Sequence, residues 1–381
     1  MKRWAISLVM AGLLAVALCC LTVIPAAAMV EPPSPQINAK GQVVWEFWDG
    51  AHERVYRWDP KAQTAVTISE STYNCEYPQI NTKGMVVWSG YDFATTLWQI
   101  YRWDPKSAKA TNISKNAYNN ENRAQINAKG QVVWECYDGG YAQIYRWDPK
   151  TAKAANISNN NNTIYNYSPQ INAKGQVVWE FWDGVHEQIY RWDPKGVTPE
   201  DISQGISANR NPQINAQGVV VWVARDETLT FWQIYRWDPK TAKAANISSN
   251  DLWSNTNPQI NGKGVVVWKG YGFTLLNQIY RWDPKTATGE NISQNSYDND
   301  SHQINAKGQV VWRCNAGAND WRIYLWDPKA GQSQVGSSTS QLYNPQINAK
   351  GQVVWASDEG SGNYSIWLYN PKTGQAGLIW P

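Results

Sequence analysis

QINAKGQVVWECYDGGYAQIYRWDPKTAKAANIS, residues Gln125 to Ser158, is the clearest copy of a phrase that returns at Gln36, Gln79, Gln170, Gln213, Gln259, Gln303 and Gln346. Eight copies follow one another with their anchor asparagines, from Asn38 to Asn348, 43 to 46 residues apart. Repetition at such a period is an architectural statement and takes precedence over any single motif. Within Gln125 to Ser158 four short extended segments alternate with turn chemistry. Gln125 to Asn127 is the first, and Asn127-Ala-Lys-Gly130 places Asn and Gly at the first and fourth positions of a type I turn. Gln131 to Tyr137 and Ile144 to Trp147 are rich in β-branched and aromatic residues, which suit strands. Asp148-Pro149 ends the third segment, because Asp caps a turn and Pro fixes the next φ. Ala154 to Ser158 forms the fourth.

Four strands in about 44 residues is the period of a propeller blade, a small sheet covered on both faces by its neighbours. Two covered faces call for strands apolar on both sides, and Val132-Val133-Trp134 reads that way. The expected fold class is all-β, an eight-bladed β-propeller of four-stranded antiparallel blades. A tryptophan ends the second strand in every copy, from Trp45 to Trp355, and a second tryptophan, from Trp58 to Trp326, ends the third strand in seven, with Tyr369 in the eighth. Each buries roughly 150–250 Å² when packed, so these two rings are expected between blades. Arg57, Arg102, Arg146, Arg191, Arg236 and Arg281 stand two residues before the turn Asp of their own copy, on the same strand face, and are expected to pair with that Asp or with the next blade. Leu325 and Leu368 replace them in the last two copies, where the ring closes.

The order Pro-Gln-Ile-Asn, x-x-Gly, Val-Val-Trp, Ile-Tyr-x-x-Asp, Ile-Ser resembles the TolB-type, WD40-like β-propeller repeat. Ala-Lys-Gly stands where that family has Pro-Asp-Gly. The resemblance implies the fold and covers the chain after its leader. It implies no single activity, since the repeat serves many.

Residues 1 to 28 read as a secretory signal peptide: Lys2 and Arg3, an apolar run from Ile6 to Ile24, and Ala26-Ala27-Ala28 for cleavage. Residues 29 to 34 are a short leader and 35 to 381 a single propeller domain, with the mature protein expected in the periplasm or outside the cell and with no membrane span after cleavage. With Lys2 and Arg3 removed from the 34 basic residues, 32 face 31 acidic ones. That balance, with no basic run, argues against nucleic acid or an anionic membrane as the main partner. Cys75, Cys136 and Cys314 are expected to be unpaired, because Cys136 and Cys314 fall in copies on opposite sides of an eight-bladed ring.

Turns between strands one and two, and between three and four, lie on one rim and hardly vary. The variable loops lie on the other, where a scaffold presents binding residues. Trp98, Trp232, Trp321 and Tyr364 precede the third strand where other copies have Glu53, Ala142, Glu187 and Asn277, so the repeat does not demand them. They are the candidate binding residues, offering flat apolar faces to a sugar or a protein side chain. His52, His186 and His302 belong to no triad or metal spacing and are expected on surface loops; Asp298-Asn299-Asp300 lacks the glycine and spacing of a calcium loop. No catalytic residue, metal or cofactor is expected. The functional expectation is a non-catalytic binding or scaffolding module for a cell-surface glycan or protein. Its alternatives are a polysaccharide lyase or hydrolase at the channel mouth, with groups converging from several blades, and a structural surface-layer component.

Overall fold

The computed structural model describes residues 31–381 apart from 71–72, 121–122, 159–164, 197, 207, 226–229, 249–252 and 272–274. The expected signal peptide lies outside the described residues, as do parts of the expected loops 70–77, 159–168, 225–231 and 249–257. Every regular element among the described residues is a strand. In the third repeat these are Gln125–Ile126, Val132–Asp138, Tyr141–Asp148 and Lys153–Asn156, joined in sequence as an antiparallel meander. All eight repeats build the same four-stranded unit, and units four and five are additionally linked by one parallel bridge from Glu187 to Ala208. The eight-bladed propeller is therefore the fold.

Local chemistry explains each unit. Asn127 Oδ1 accepts the backbone N–H groups of Lys129 and Gln131, and the Gly130 N–H is donated to the Asn127 carbonyl, which folds the hairpin. Gly130 has φ +86°, a value a side chain resists. The first strand runs further upstream in several blades than its sequence suggests, as in Tyr165–Ile171. A bulge between Tyr167 and Gln170 interrupts it, with Ser168 at φ 53°, and Tyr77, Asn211, Asn257 and Asn344 take the same left-handed conformation before their prolines.

Blade packing follows the two tryptophan rings. Trp45, Trp134, Trp179, Trp222 and Trp312 are fully buried, and the seven first-ring tryptophans from Trp45 to Trp312 stack on or tilt against the tyrosine across their hairpin, as Trp134 does on Tyr145. In blades three to seven the indole N–H is donated to a buried asparagine, for example Trp179 Nε1 to Asn166 Oδ1 at 2.8 Å. That asparagine reaches back to the preceding blade, as Asn166 Nδ2 does to the Ala142 carbonyl. The arginines do both things expected of them: Arg146 bonds Asp148 at 2.8 Å, and its guanidinium lies 5.4 Å from the Trp192 ring of the next blade. Leu325 and Leu368 sit instead in apolar clusters between blades seven and eight and between eight and one.

A ring of eight asparagines ties the blades together. Asn38 Nδ2 donates to the Asn81 carbonyl, Asn81 to that of Asn127, and so on through Asn172, Asn215, Asn261 and Asn305, until Asn348 donates to Asn38 at 3.0 Å. The circle closes blade eight on blade one with no strand exchanged between them. Cys75, Cys136 and Cys314 are buried and in no disulfide, and burial pushes each thiol up to about 12.

Candidate active site

The first strands of all eight repeats surround a central channel of about 950 Å³. The glutamine of every Gln-Ile-Asn phrase lines it, so its waist is a ring of eight uncharged amides. Towards the variable rim the wall loses that symmetry. Glu135, Ser168, Tyr167 and Glu180 come together there from blades three and four, with Arg123 and Tyr77 beside them. Arg123 lies 5.1 Å over the Tyr77 ring, and Arg123 itself is exposed.

Glu135 and Glu180 occupy the position just after the second-strand tryptophan, where the strand begins to face the next blade's bulge. Glu135 Oε1 accepts the Ser168 N–H at 2.6 Å, and Glu180 Oε1 accepts the Asn211 N–H at 2.8 Å. The Ser168 hydroxyl also donates to Glu180, so one serine bridges both carboxyls. Burial raises the Glu180 pKa above the usual carboxylate range, outweighing the Asn211 and Ser168 hydrogen bonds that lower it. Tyr167 is pushed up to about 12 by burial, then by Tyr137 and Tyr165 and by the charges of Glu135 and Glu180. In blade one Glu46 holds the equivalent position, raised to about 7 by burial, but it accepts the N–H of Ser34, just ahead of its own blade's first strand.

His302 corrects the expectation of a loop histidine. It stands in the first strand of blade seven, Asp298–Ile304, at the place filled by proline in six other copies, lines the channel, and is 4% exposed. Burial lowers its pKa to about 4, and its Nε2 has no hydrogen-bond partner. The unfolded chain takes up a proton on this imidazole below about pH 6.5 whereas the folded chain waits until about 4, so stability falls as pH drops across that window. Replacing His302 with proline is expected to remove up to about 3 kcal/mol of that loss. Urea unfolding at neutral pH and near pH 4 measures it, and an equal acid loss in both proteins would contradict a buried neutral imidazole. His52 and His186 are on hairpin loops as expected, each donating its backbone N–H to an aspartate, Asp49 or Asp183. Asp298-Asn299-Asp300 is used internally: Asp298 holds Asn277, Asn299 the Trp312 indole, and Asp300 the Arg313 guanidinium.

Trp98, Trp232, Trp321 and Tyr364 are not brought together. They stand in blades two, five, seven and eight, and none lines the channel. Trp98 tilts against Tyr91 at 5.3 Å, Trp232 lies 5.2 Å from both Arg210 and Arg225, Trp321 lies under Arg313, and Tyr364 is buried edge-on to Tyr343.

No family model matches the chain, and no curated protein matches it in sequence. Solved structures share its fold at low identity. Dipeptidyl peptidase 4 of Porphyromonas gingivalis is 10% identical with a TM-score of 0.63 over 92% of this chain and 60% of that one. An oligogalacturonate lyase in complex with manganese is 14% identical, TM-score 0.58, over 91% and 99%. The β-propeller domain of the Trilobed protease from Pyrococcus furiosus is 12% identical, TM-score 0.56, over 80% and 98%. The chain spans 52%, 55% and 60% of the length of three peptidases that it matches. These findings correct the expectation of a non-catalytic binding or scaffolding module: the three structures just named are enzymes or the propeller domain of one, and the channel wall carries two carboxyls on adjacent blades that linear spacing could not reveal.

Proposed function

We propose that the protein is a polysaccharide lyase or hydrolase acting at the mouth of its central channel. The carrying observation is the pair Glu135 and Glu180, held in the channel wall by adjacent blades and bridged by Ser168. Glycan cleavage needs one carboxyl that still holds a proton and another group that takes one. Glu180, whose burial favours the protonated form, is the acid that protonates the leaving glycosidic oxygen. Glu135 is the base, acting on water in hydrolysis or on the proton next to a uronate carboxyl in elimination. Arg123 offers its exposed guanidinium to a substrate carboxylate. Trp98, Trp232 and Trp321 are proposed as flanking faces on the same rim, whereas Tyr364, buried against Tyr343, supports the wall beneath it.

Coverage favours this reading over a peptidase. Two oligogalacturonate lyase structures are matched over 99% and 95% of their own chains, so a propeller like this one is nearly all they contain, whereas the peptidases extend well beyond the match. One of those lyases is a complex with manganese; among the described residues here no group of three His, Cys, Asp or Glu could hold a metal, so that ion has no counterpart. We also propose export to the periplasm or cell exterior, supported by the pattern of residues 1 to 28.

Glu180→Gln keeps the hydrogen-bonding shape and removes the proton donor. Turnover of oligogalacturonide or a neutral glycan is expected to fall roughly a hundred- to ten-thousandfold with an unchanged melting temperature. Unsaturated products identify a lyase, and new reducing ends without unsaturation a hydrolase. A wild-type protein that cleaves no member of a broad glycan panel, or a fully active variant, would overturn the proposal.

A further inference from the structure

The near-neutral net charge of +3 hides a separation of charge between the two rims. The Asn-x-x-Gly turns carry an exposed lysine in seven repeats, from Lys40 to Lys350, with Gln217 in the fifth. The Asp-Pro-Lys turns, and Asn-Pro-Lys in the last repeat, add eight more on the same rim, from Lys61 to Lys372, and Lys109, Lys153 and Lys243 begin fourth strands there. Against these 18 lysines and the six paired arginines the rim has nine acids, the seven turn aspartates with Glu200 and Glu290. The rest of the chain holds 10 basic and 22 acidic residues. One face of the disc is thus strongly positive, and the remainder is negative.

We infer that the lysine rim is a docking surface for an anionic lipid bilayer. Three observations favour an extended surface over a linear polyanion. The inner lysines are set around a closed circle: Lys40 Nζ donates to the Lys83 carbonyl, Lys174 to that of Gln217 and Lys307 to that of Lys350, at 3.2–3.3 Å, on turns that the asparagine ring holds in one layer. A second circle of lysines surrounds the first, because every blade contributes both turns to this face. A polymer strand crosses such a disc along one line and leaves most of the charges unused, whereas a plane engages both circles at once. Finally, the exposed cations of this rim are all lysines, without the guanidinium forks and stacking aromatics that read nucleic acid.

The chemistry also sets the mode of attachment. The exposed large apolar side chains lie elsewhere: Trp48, Phe93, Tyr118, Val185, Tyr271 and Leu275 on the hairpins and loops of the opposite rim, and Val66 and Leu378 on outer strands. Attachment is therefore electrostatic and peripheral, acts within a Debye length of about 8 Å, and is weakened by salt. The acidic rim, and the channel mouth bearing Glu135 and Glu180, then faces away from the bilayer. This inference stands independently of the chemistry in the channel.

Sedimentation with vesicles tests it. The full chain is expected to bind vesicles of phosphatidylglycerol and phosphatidylcholine in equal parts, to ignore vesicles of phosphatidylcholine alone, and to be released as sodium chloride is raised. The variant Lys83→Gln, Lys129→Gln, Lys174→Gln, Lys263→Gln uses the residue that copy five already carries, so its melting temperature is expected to stay unchanged. At about fivefold per lysine its partition should fall at least a hundredfold. The inference fails if the protein ignores the charged vesicles, if it binds both kinds equally, or if the folded variant binds as tightly as the parent. It also fails if duplex DNA or a sulfated polysaccharide displaces the protein at a much lower charge concentration than the vesicles supply, since the partner is then a soluble polymer.

Discussion

Trp179→Ala is expected to lower the unfolding free energy by about 3–5 kcal/mol, because the truncation removes a fully buried indole and leaves a cavity that two rigid sheets cannot collapse to fill. The side chain belongs to a cluster of Val133, Ile144 and Ile157 from blade three with Val177 and Phe181 of its own blade. It also holds Asn166 through its indole N–H, and Asn166 in turn holds the Ala142 carbonyl of blade three at 3.1 Å. Alanine therefore removes packing and the buried hydrogen bond to Asn166 together. Denaturant unfolding followed by intrinsic fluorescence measures the change. A difference below about 1 kcal/mol would mean that the first tryptophan ring does not weld the blades, and it would reopen a binding role for these side chains.

The parts that sequence made legible are those repeated in every copy. Val-Val-Trp and the Asn-x-x-Gly turn recur in all eight copies and the Arg-x-Asp pair in six, each buried alike from copy to copy, so the period alone carries strand number, blade number and packing faces. What stayed hidden depends on neighbours distant in the chain. Asn127 has a local role that the turn pattern announces; its donation to Asn172, 45 residues away, has no local signature. Glu135 and Glu180 look like two ordinary strand residues until Ser168 is seen between them. His302 departs from the repeat at a proline position, and that departure was a usable signal, hidden by the polar residues that precede it. The charge separation was also within reach, because both lysine-bearing turns belong to one rim by topology; the net charge cannot register it, since it sums over the two faces.

Asn348→Ala is expected to open the ring, whereas the same change at Asn172 is expected only to weaken it. Each side chain is buried, donates to the next asparagine's carbonyl and to a glutamine, and accepts two backbone N–H groups of its own turn. Losing these partners inside the fold costs about 2–4 kcal/mol at either site, from buried groups left unsatisfied. The consequences differ because the chain itself joins blades four and five, whereas the described residues of blades eight and one meet through side-chain packing, this hydrogen bond and the Asn344 amide's bonds to the Pro33 carbonyl and the Ser34 hydroxyl. The closing contact is also the poorer one: Trp45 and Trp380 meet there at 5.7 Å, yet neither indole N–H has a partner, and the asparagine that serves this purpose in blades three to seven is Pro32 at the equivalent place before Trp45. Local opening at the weakest contact should therefore appear as faster amide exchange in blades one and eight of the Asn348 variant, with blades three to six protected until global unfolding. Small-angle scattering supplies the second readout, since the closed domain should keep a radius of gyration of roughly 20 Å and an opened arc a larger one. If both variants show the same exchange pattern and the same size, the apolar cluster of Trp45, Val354, Ile366 and Trp380 holds the closure by itself, and the asparagine ring contributes stability without any special place at the join.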